Sequence, residues 1–225
     1  MVNEMVEAVI FDMDGLMFDT ERMFKRQFRK ALDQNGLAQV PDTVIEAMIG
    51  CDSRRIALFE DRFPGIGDVM RRCQEERADY FFRFFPTPGS ANKKGLRRLM
   101  GYLDQKQIPY AIASSSFRHH IERFCDYAGF AMHPKAVLSG KDGYRSKPEP
   151  DIFLAAANAL GADPANCLVL EDSKNGILAA HRAKMQSIFI PDQIVPDDEM
   201  RKVLWHTCAD LSQVIEYLEN TGSVL

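Results

Sequence analysis

The chain has 225 residues, enough for one large domain or two modest ones, and 46% of them are hydrophobic, which supports a buried core. A net charge of −4 gives no general attraction to nucleic acid or to an anionic membrane, and no apolar run approaches the roughly 18 residues that span a bilayer. The five cysteines are scattered, so we expect no zinc site and no disulfide framework. The N-terminus lacks a signal-peptide pattern, so we expect a cytoplasmic protein. A monomer or weak dimer is the expected oligomeric state.

The first predicted element is a short strand, Ala8–Phe11, which is apolar on both faces like a central strand of a parallel sheet. Asp12 and Asp14 follow it. Strand residues i and i+2 point the same way, so both carboxylates should face one spot at the sheet edge where α/β proteins bind ligands. Such a pair favours a divalent cation with oxygen ligands, most naturally Mg²⁺. A tight turn is the alternative, whereas a calcium-binding loop is excluded because Met17 occupies its glycine position.

The next section is predicted to be helical, with no strand between about residue 20 and residue 88. Its first helix should begin after an N-cap at Thr20 and end at Asn35–Gly36. Further helical stretches are predicted around residues 42–49, 53–62 and 68–85. We therefore expect a helical cap domain over residues 18–88, inserted after the first strand.

From residue 89 onward, strands and helices alternate. The predicted strands are Tyr110–Ala113, Ala136–Leu138, Cys167–Leu170 and Ser187–Ile190, and the predicted helices are residues 95–105, 119–127, 149–160, 177–183 and 211–219. Such alternation is typical of parallel βαβ units with right-handed crossovers. The expected fold class is therefore α/β, with a doubly wound, Rossmann-like parallel-sheet core (residues 1–17 and 89–225) and an inserted α-helical cap.

Polar residues collect at the ends of the predicted strands. Ser114 follows the second strand, Glu171 and Asp172 follow the fourth, and Lys147 precedes a helix. Each has an ordinary explanation on its own: a helix N-cap for the serine, acids at a helix start, and a solvated loop lysine. Their appearance together at successive strand ends instead predicts a site.

This set of residues suits phosphoryl transfer. Asp12 could attack phosphorus and form an acyl phosphate, while Asp14 could protonate the leaving oxygen and then activate water. A metal held by Asp12, Asp172 and the Asp14 carbonyl would let an anion attack a dianion, and Ser114 and Lys147 would bind the phosphate oxygens. A receiver domain uses similar residues, but it carries its acidic pair and phosphorylated aspartate on different strands.

The motifs resemble those of the haloacid dehalogenase (HAD) superfamily. They occur in the same order as in that superfamily and are spread over the whole chain. They are Asp12-Met13-Asp14-Gly15, Ala113-Ser114-Ser115-Ser116, Lys147-Pro148-Glu149-Pro150-Asp151 and Leu170-Glu171-Asp172-Ser173-Lys174-Asn175-Gly176. The insertion point resembles the subfamily with a helical cap, which includes β-phosphoglucomutase and sugar-phosphate phosphatases. The resemblance implies phosphate binding by Ser114, Ser115 and Lys147, and metal binding by Asp12, Asp14, Glu171 and Asp172.

Within the superfamily, Asp14 argues against dehalogenases, which lack this second aspartate. β-Phosphoglucomutases carry a histidine where this cap has Phe24, and Lys-Gly where it has Ile49-Gly50. The residues Gly50, Arg54 and Arg55 are the candidates for recognising the leaving group. We expect a Mg²⁺-dependent phosphatase that acts on a small phosphorylated metabolite, with a sugar phosphate favoured. A β-phosphoglucomutase-type phosphosugar mutase is the alternative, and a non-catalytic binding or regulatory protein is a minor alternative.

Overall fold

The computed structural model describes residues 5–48 and 53–220, with the side chains of residues 53–56 left out. Contacts divide the chain into two units. One comprises the residues up to Phe18 together with those from Ala91 onward, and the other comprises Asp19–Ser90. Within the described ranges, no helix combines the length and the apolar character needed to cross a membrane.

The first unit is built on a parallel sheet. Its strands are β1 (Ala8–Phe11), β2 (Tyr110–Ser114), β3 (Ala136–Ser139), β4 (Cys167–Glu171), β5 (Gln186–Phe189) and β6 (His206–Thr207). Its helices are α6 (Leu96–Gln105), α7 (Arg118–Asp126), α8 (Asp151–Leu160), α9 (Lys174–Arg182), α10 (Asp198–Arg201) and α11 (Leu211–Asn220). The strand order is β3-β2-β1-β4-β5-β6 with every pairing parallel, so the predicted α/β fold is confirmed.

The central position of β1 follows from its composition. All four of its residues are fully buried, because both faces of the strand are covered. Ala8 and Ile10 pack in one core cluster with Phe153 of α8. Ile10 pairs with Ala111 of β2 on one side and with Val169 of β4 on the other. This register brings the carboxyl ends of β1, β2 and β4 side by side, and the predicted site residues follow those three ends.

The second unit is helical. It contains α1 (Thr20–Gln34), α2 (Asp42–Met48), α3 (Ser53–Glu60), α4 (Ile66–Glu75) and α5 (Arg77–Phe84). Phe24 and Phe28 lie one turn apart on α1 and stack with their ring centroids 6.2 Å apart. Phe81 of α5 is fully buried and contacts the Phe85 ring at 5.2 Å. Aromatic side chains at helical spacing therefore build the core of this unit.

Two local predictions were wrong, and two short elements were not predicted. Thr20 is the first residue of α1 and not its cap, because the capping position is Asp19, which makes no side-chain capping bond. The stretch 68–85 is two helices broken at Glu76, although neither glycine nor proline marks the break. The short elements α10 and β6 were not predicted, because two to four residues carry no readable period.

Candidate active site

Asp12 and Asp14 lie at the end of β1, as the sequence predicts. The Asp12 amide donates to the Leu170 carbonyl of β4 at 3.0 Å, so the chain stays paired with β4 just beyond the strand. The turn then closes with a bond from the Gly15 amide to the Phe18 carbonyl at 3.0 Å. Gly15 has φ +81°, a left-handed conformation that glycine adopts without strain.

Asp14 is held by two serines that follow β2. The Ser116 hydroxyl donates to Asp14 Oδ2 at 2.7 Å, and the Ser114 hydroxyl donates to the same oxygen at 3.1 Å. Ser114 is fully buried and its oxygen accepts a bond from the Ser116 amide at 3.0 Å, whereas Ser115 is exposed. Ser116 was not among the predicted site residues, although it belongs to the Ala113-Ser114-Ser115-Ser116 motif of the sequence.

Lys147 reaches the same edge of the sheet from the loop before α8. Its ammonium lies 2.5 Å from Asp12 Oδ1 and 2.8 Å from Glu171 Oε1, and it donates to the Ala113 carbonyl at 3.1 Å. It also lies 4.6 Å from the centroid of the Phe153 ring, a favourable cation–π position. The lysine side chain is only 6% exposed, so this buried cation is paired and not a solvated loop lysine.

Burial and charge shift the ionisation of this pair. Burial raises the pKa of Asp12 to about 7, with Lys147 opposing the rise and the Glu171 and Asp14 carboxylates adding to it. Burial alone would lower the pKa of Lys147, but the Asp12 and Glu171 carboxylates raise it above its usual value. Lys147 therefore stays charged, and further positive charge beside Asp12 would lower the pKa of that carboxyl.

Glu171 and Asp172 are neighbours in sequence but serve different sides of the strand end. Glu171 is fully buried; one of its oxygens meets Lys147, and the other accepts from the Ser173 amide at 2.9 Å and hydroxyl at 2.8 Å. Both oxygens are thus engaged within the protein. Glu171 is thus a partner of Lys147, and its expected role as a metal ligand stays a prediction.

The buried Glu171 carboxylate occupies the space beside Gly176 in α9. A Cβ atom there would lie 1.8 Å from the Glu171 carboxyl carbon. We expect Gly176→Ala to lower the free energy of unfolding by about 1–3 kcal/mol, because Glu171 would be displaced from Lys147. Gly101→Ala is the matched control, because Gly101 is an exposed position of α6 with no atom within 4 Å of an added Cβ. It should raise the free energy of unfolding by about 0.5–1 kcal/mol. Urea unfolding measures the free energy of unfolding of both variants. Equal effects of the two changes would contradict the role of Gly176 in leaving space for the Glu171 carboxylate.

The carboxylates around β1 fit a metal ion. Asp12 is 7% exposed and Asp172 is 4% exposed, and their charges add to those of Asp14 and Glu171. A Cβ atom at Gly15 would lie 2.2 Å from Asp172 Oδ2, so the turn presses against that oxygen. Buried carboxylates in such excess require a cation, and hard oxygen donors suit a divalent ion. The Lys93–Asp192 ion pair beside them was not predicted, because both residues lie in loops without a motif.

Burial disfavours thiolate chemistry at two of the cysteines that the structure describes. Burial raises the pKa of the Cys167 thiol to about 11 and that of the Cys125 thiol to about 12. The thiolate is the nucleophilic form, so both side chains stay inert at neutral pH.

A surface hollow of about 420 Å³ lies beside Pro109 and His133. It is at the opposite ends of the strands from the motif residues.

The residues of the helical unit that are predicted to recognise the leaving group are Gly50, Arg54 and Arg55. Gly50 lies outside the described residues. Arg54 and Arg55 belong to α3, and their side chains are likewise outside them. Their assignment to the leaving group stays a prediction.

Comparisons with known proteins agree with this geometry. Residues 9–190 match the family described as haloacid dehalogenase-like hydrolase. A probable pseudouridine-5′-phosphatase of Drosophila melanogaster is 30% identical over 85% of this chain and 86% of its own length. Hexitol phosphatase B of Escherichia coli is 27% identical over 82% of the chain and 83% of its own. The crystal structure of a β-phosphoglucomutase from Clostridium difficile superposes with a TM-score of 0.76 at 24% identity, covering 96% of this chain and 97% of that one.

Proposed function

The chain belongs to the haloacid dehalogenase-like hydrolases, and we propose from this premise that it is a Mg²⁺-dependent phosphatase for a small phosphorylated metabolite. The supporting observation is the cluster at the end of β1. There Asp12 contacts the Lys147 ammonium at 2.5 Å, while Asp14 is held by a serine hydroxyl at 2.7 Å. One carboxylate is thus placed beside a phosphate-binding cation and the other beside hydrogen-bond donors that orient it.

The proposed reaction has two halves. An oxygen of Asp12 attacks phosphorus and forms an acyl phosphate, while the ester bond breaks and the leaving oxygen takes a proton from Asp14. Water then attacks the same phosphorus and gives its proton to Asp14, which releases phosphate and restores Asp12. Lys147, Ser114 and the exposed Ser115 bind the non-bridging oxygens and offset their charge.

We propose that Asp12, Asp172 and the Asp14 carbonyl hold Mg²⁺. When bound, the ion supplies positive charge that ionises the nucleophile and screens it from the phosphate dianion. Glu171 stays a proposed further ligand of the ion, and its oxygens also contact Lys147 and the Ser173 hydroxyl. We retain a cytoplasmic monomer or weak dimer as part of the proposal.

A phosphosugar mutase is the alternative within the same chemistry. A mutase must hold a second, remote phosphate, which requires cationic groups in the cap. Phe24 is buried and stacks on Phe28. It stands at the position where the resemblance to β-phosphoglucomutases would imply a histidine. The likeness to β-phosphoglucomutase concerns the fold, so it does not favour the mutase over the phosphatase.

The test is phosphate release with Mg²⁺ from a panel of phosphorylated sugars, hexitols and nucleosides. Pseudouridine 5′-phosphate and hexitol phosphates belong in it because the relatives' names carry them. We expect selective phosphate release that stops when the metal is chelated. Conversion of β-glucose 1-phosphate to glucose 6-phosphate, run beside it with the bisphosphate activator and without net phosphate release, would favour the mutase and overturn the phosphatase.

A further inference from the structure

Asp192 is an acidic residue outside all four motifs that lies beside the proposed metal site. It follows β5 by three residues, and β5 pairs with β4, whose end carries Asp172. The pairing continues past the strands, because the Ile190 amide donates to the Glu171 carbonyl at 2.8 Å. The sheet therefore delivers Asp192 to the same edge as the motif carboxylates.

One oxygen of Asp192 is paired and the other is not. Oδ1 lies 2.6 Å from the Lys93 ammonium. Oδ2 is buried and accepts no hydrogen bond from any residue in the part of the chain that the structure describes. The side chain is only 7% exposed, so bulk water does not solvate that oxygen freely. A buried acceptor without a donor is costly, which points to a donor or cation that belongs there.

The unpartnered oxygen is aimed at the proposed metal site. A Cβ atom at Gly15 would lie 3.2 Å from Asp192 Oδ2 and 2.2 Å from Asp172 Oδ2, so both oxygens converge on the same face of the β1 turn. Carboxylate oxygens of Asp172 and Asp192 lie within 4.8 Å of each other. Two such groups repel unless a cation or its bound water lies between them.

The neighbouring ion pair shows that this arrangement is not an ordinary structural pair. Lys94 contacts Asp210 Oδ2 at 2.6 Å, the same separation as in the Lys93 pair. In that case the other oxygen is satisfied, because Asp210 Oδ1 accepts from the Ser212 amide at 2.9 Å and from the Ser212 hydroxyl. Two adjacent lysines thus hold two aspartates, and only in the second pair are both carboxylate oxygens used within the chain's described part.

We propose that Asp192 completes the divalent-cation site, with Oδ2 accepting a hydrogen bond from water bound to the ion beside Asp172. Lys93 contacts the other carboxylate oxygen, Oδ1, and offsets part of its charge. The inference rests on the metal dependence in the proposed function, but it concerns cation affinity and not the substrate. Residues that orient the surroundings of a metal typically change its affinity by about 10–100-fold.

The experiment measures cation binding by the full chain without substrate. Mn²⁺ binding is followed by the spin-resonance signal of the free ion, and Mg²⁺ binding is followed by calorimetry. We expect Asp192→Asn to weaken both by at least about tenfold. Asp210→Asn breaks the neighbouring pair and is the matched control, expected to stay within about twofold of the original chain.

Lys93→Gln separates a role at the metal from a role in folding. It breaks the same ion pair from the other side but leaves the Asp192 charge in place. If Asp192 faces the cation, binding should be as tight as in the original chain or tighter, because a nearby positive charge is gone. If the pair only holds the fold, Lys93→Gln and Asp192→Asn should weaken binding alike, and that result would overturn the inference. Should Asp192→Asn not fold, Lys93→Gln decides the question by the same criterion.

The outcomes distinguish this inference from the proposed function. Tight cation binding that Asp192→Asn leaves unchanged overturns the inference, while phosphate release still supports the phosphatase. Weakened binding in Asp192→Asn, in a chain that releases no phosphate from any ester, supports the inference and overturns the phosphatase. If the original chain binds neither ion, both are overturned.

Discussion

Asp12→Asn should lower kcat for phosphate release by at least about 10⁴-fold, because an amide cannot form the acyl phosphate. The fold should survive the change. Lys147 keeps its contact with Glu171 at 2.8 Å and with the Ala113 carbonyl at 3.1 Å, so the buried ammonium is not left unpaired. The measurement is phosphate release at saturating substrate and metal, beside thermal unfolding of the metal-free protein.

The raised pKa of Asp12 gives this substitution a second, independent signature. Burial raises the pKa of Asp12 from its usual 3.8 to about 7, so ionising Asp12 lowers the stability of the metal-free fold. The stability associated with protonated Asp12 is fully present below the pKa of this group in the unfolded chain. It is lost as the pH rises through the pKa of Asp12 in the folded chain. Asn carries no such cost, so metal-free Asp12→Asn should unfold at the same temperature as the original chain, or a higher one, at alkaline pH.

The control for this prediction is Asp12→Ala, which cannot regenerate aspartate by hydrolysis of an amide. It should be as inactive as Asp12→Asn. Retention of more than about one hundredth of kcat by Asp12→Ala would show that Asp12 is not the nucleophile. A protein that only binds its ligand would instead release no phosphate at all, with or without the substitution.

The sequence predicts the sheet and most of the site because both follow from short-range rules. A run such as Ala8–Phe11, apolar on both faces, is stable only in the middle of a covered sheet, and the structure buries it completely. Once β1, β2 and β4 are parallel neighbours, their carboxyl ends coincide, so Asp12 and Ser114 lie at one edge. Connectivity alone thus accounts for their positions.

The parts that could not be predicted depend on side-chain direction and long-range packing. Adjacent residues near a strand end point to opposite sides, and Glu171 contacts Lys147 while Asp172 lies beside the Gly15 turn. The motif alone does not distinguish these two surroundings. The Lys93–Asp192 pair joins residues 99 positions apart, in loops that carry no period, and nothing in the sequence links them. The break at Glu76 likewise has no glycine or proline to mark it.

Asp14→Asn should affect substrates according to the basicity of their leaving group. An alkyl phosphate, such as a sugar ester, needs a proton on its departing oxygen, so its kcat/KM should fall by about 10²–10⁴-fold. p-Nitrophenolate leaves without a proton, so attack on p-nitrophenyl phosphate should be slowed far less. Asn retains a carbonyl oxygen for the Ser116 and Ser114 hydroxyls, which now lie 2.7 and 3.1 Å from Asp14 Oδ2, and should therefore fit the site.

Rapid mixing separates the two proposed roles of Asp14. With p-nitrophenyl phosphate, Asp14→Asn should release one equivalent of p-nitrophenol in a burst and then turn over slowly, because the acyl phosphate forms but water is no longer activated. The alkyl ester should show no burst. Ser116→Ala is the matched control: it removes the 2.7 Å hydrogen bond but leaves the acid, so it should lower kcat by a smaller factor for both esters. A burst phase slowed equally for the two leaving groups would mean that Asp14 does not donate the proton, and its hydrogen bonds to the serines would then be structural.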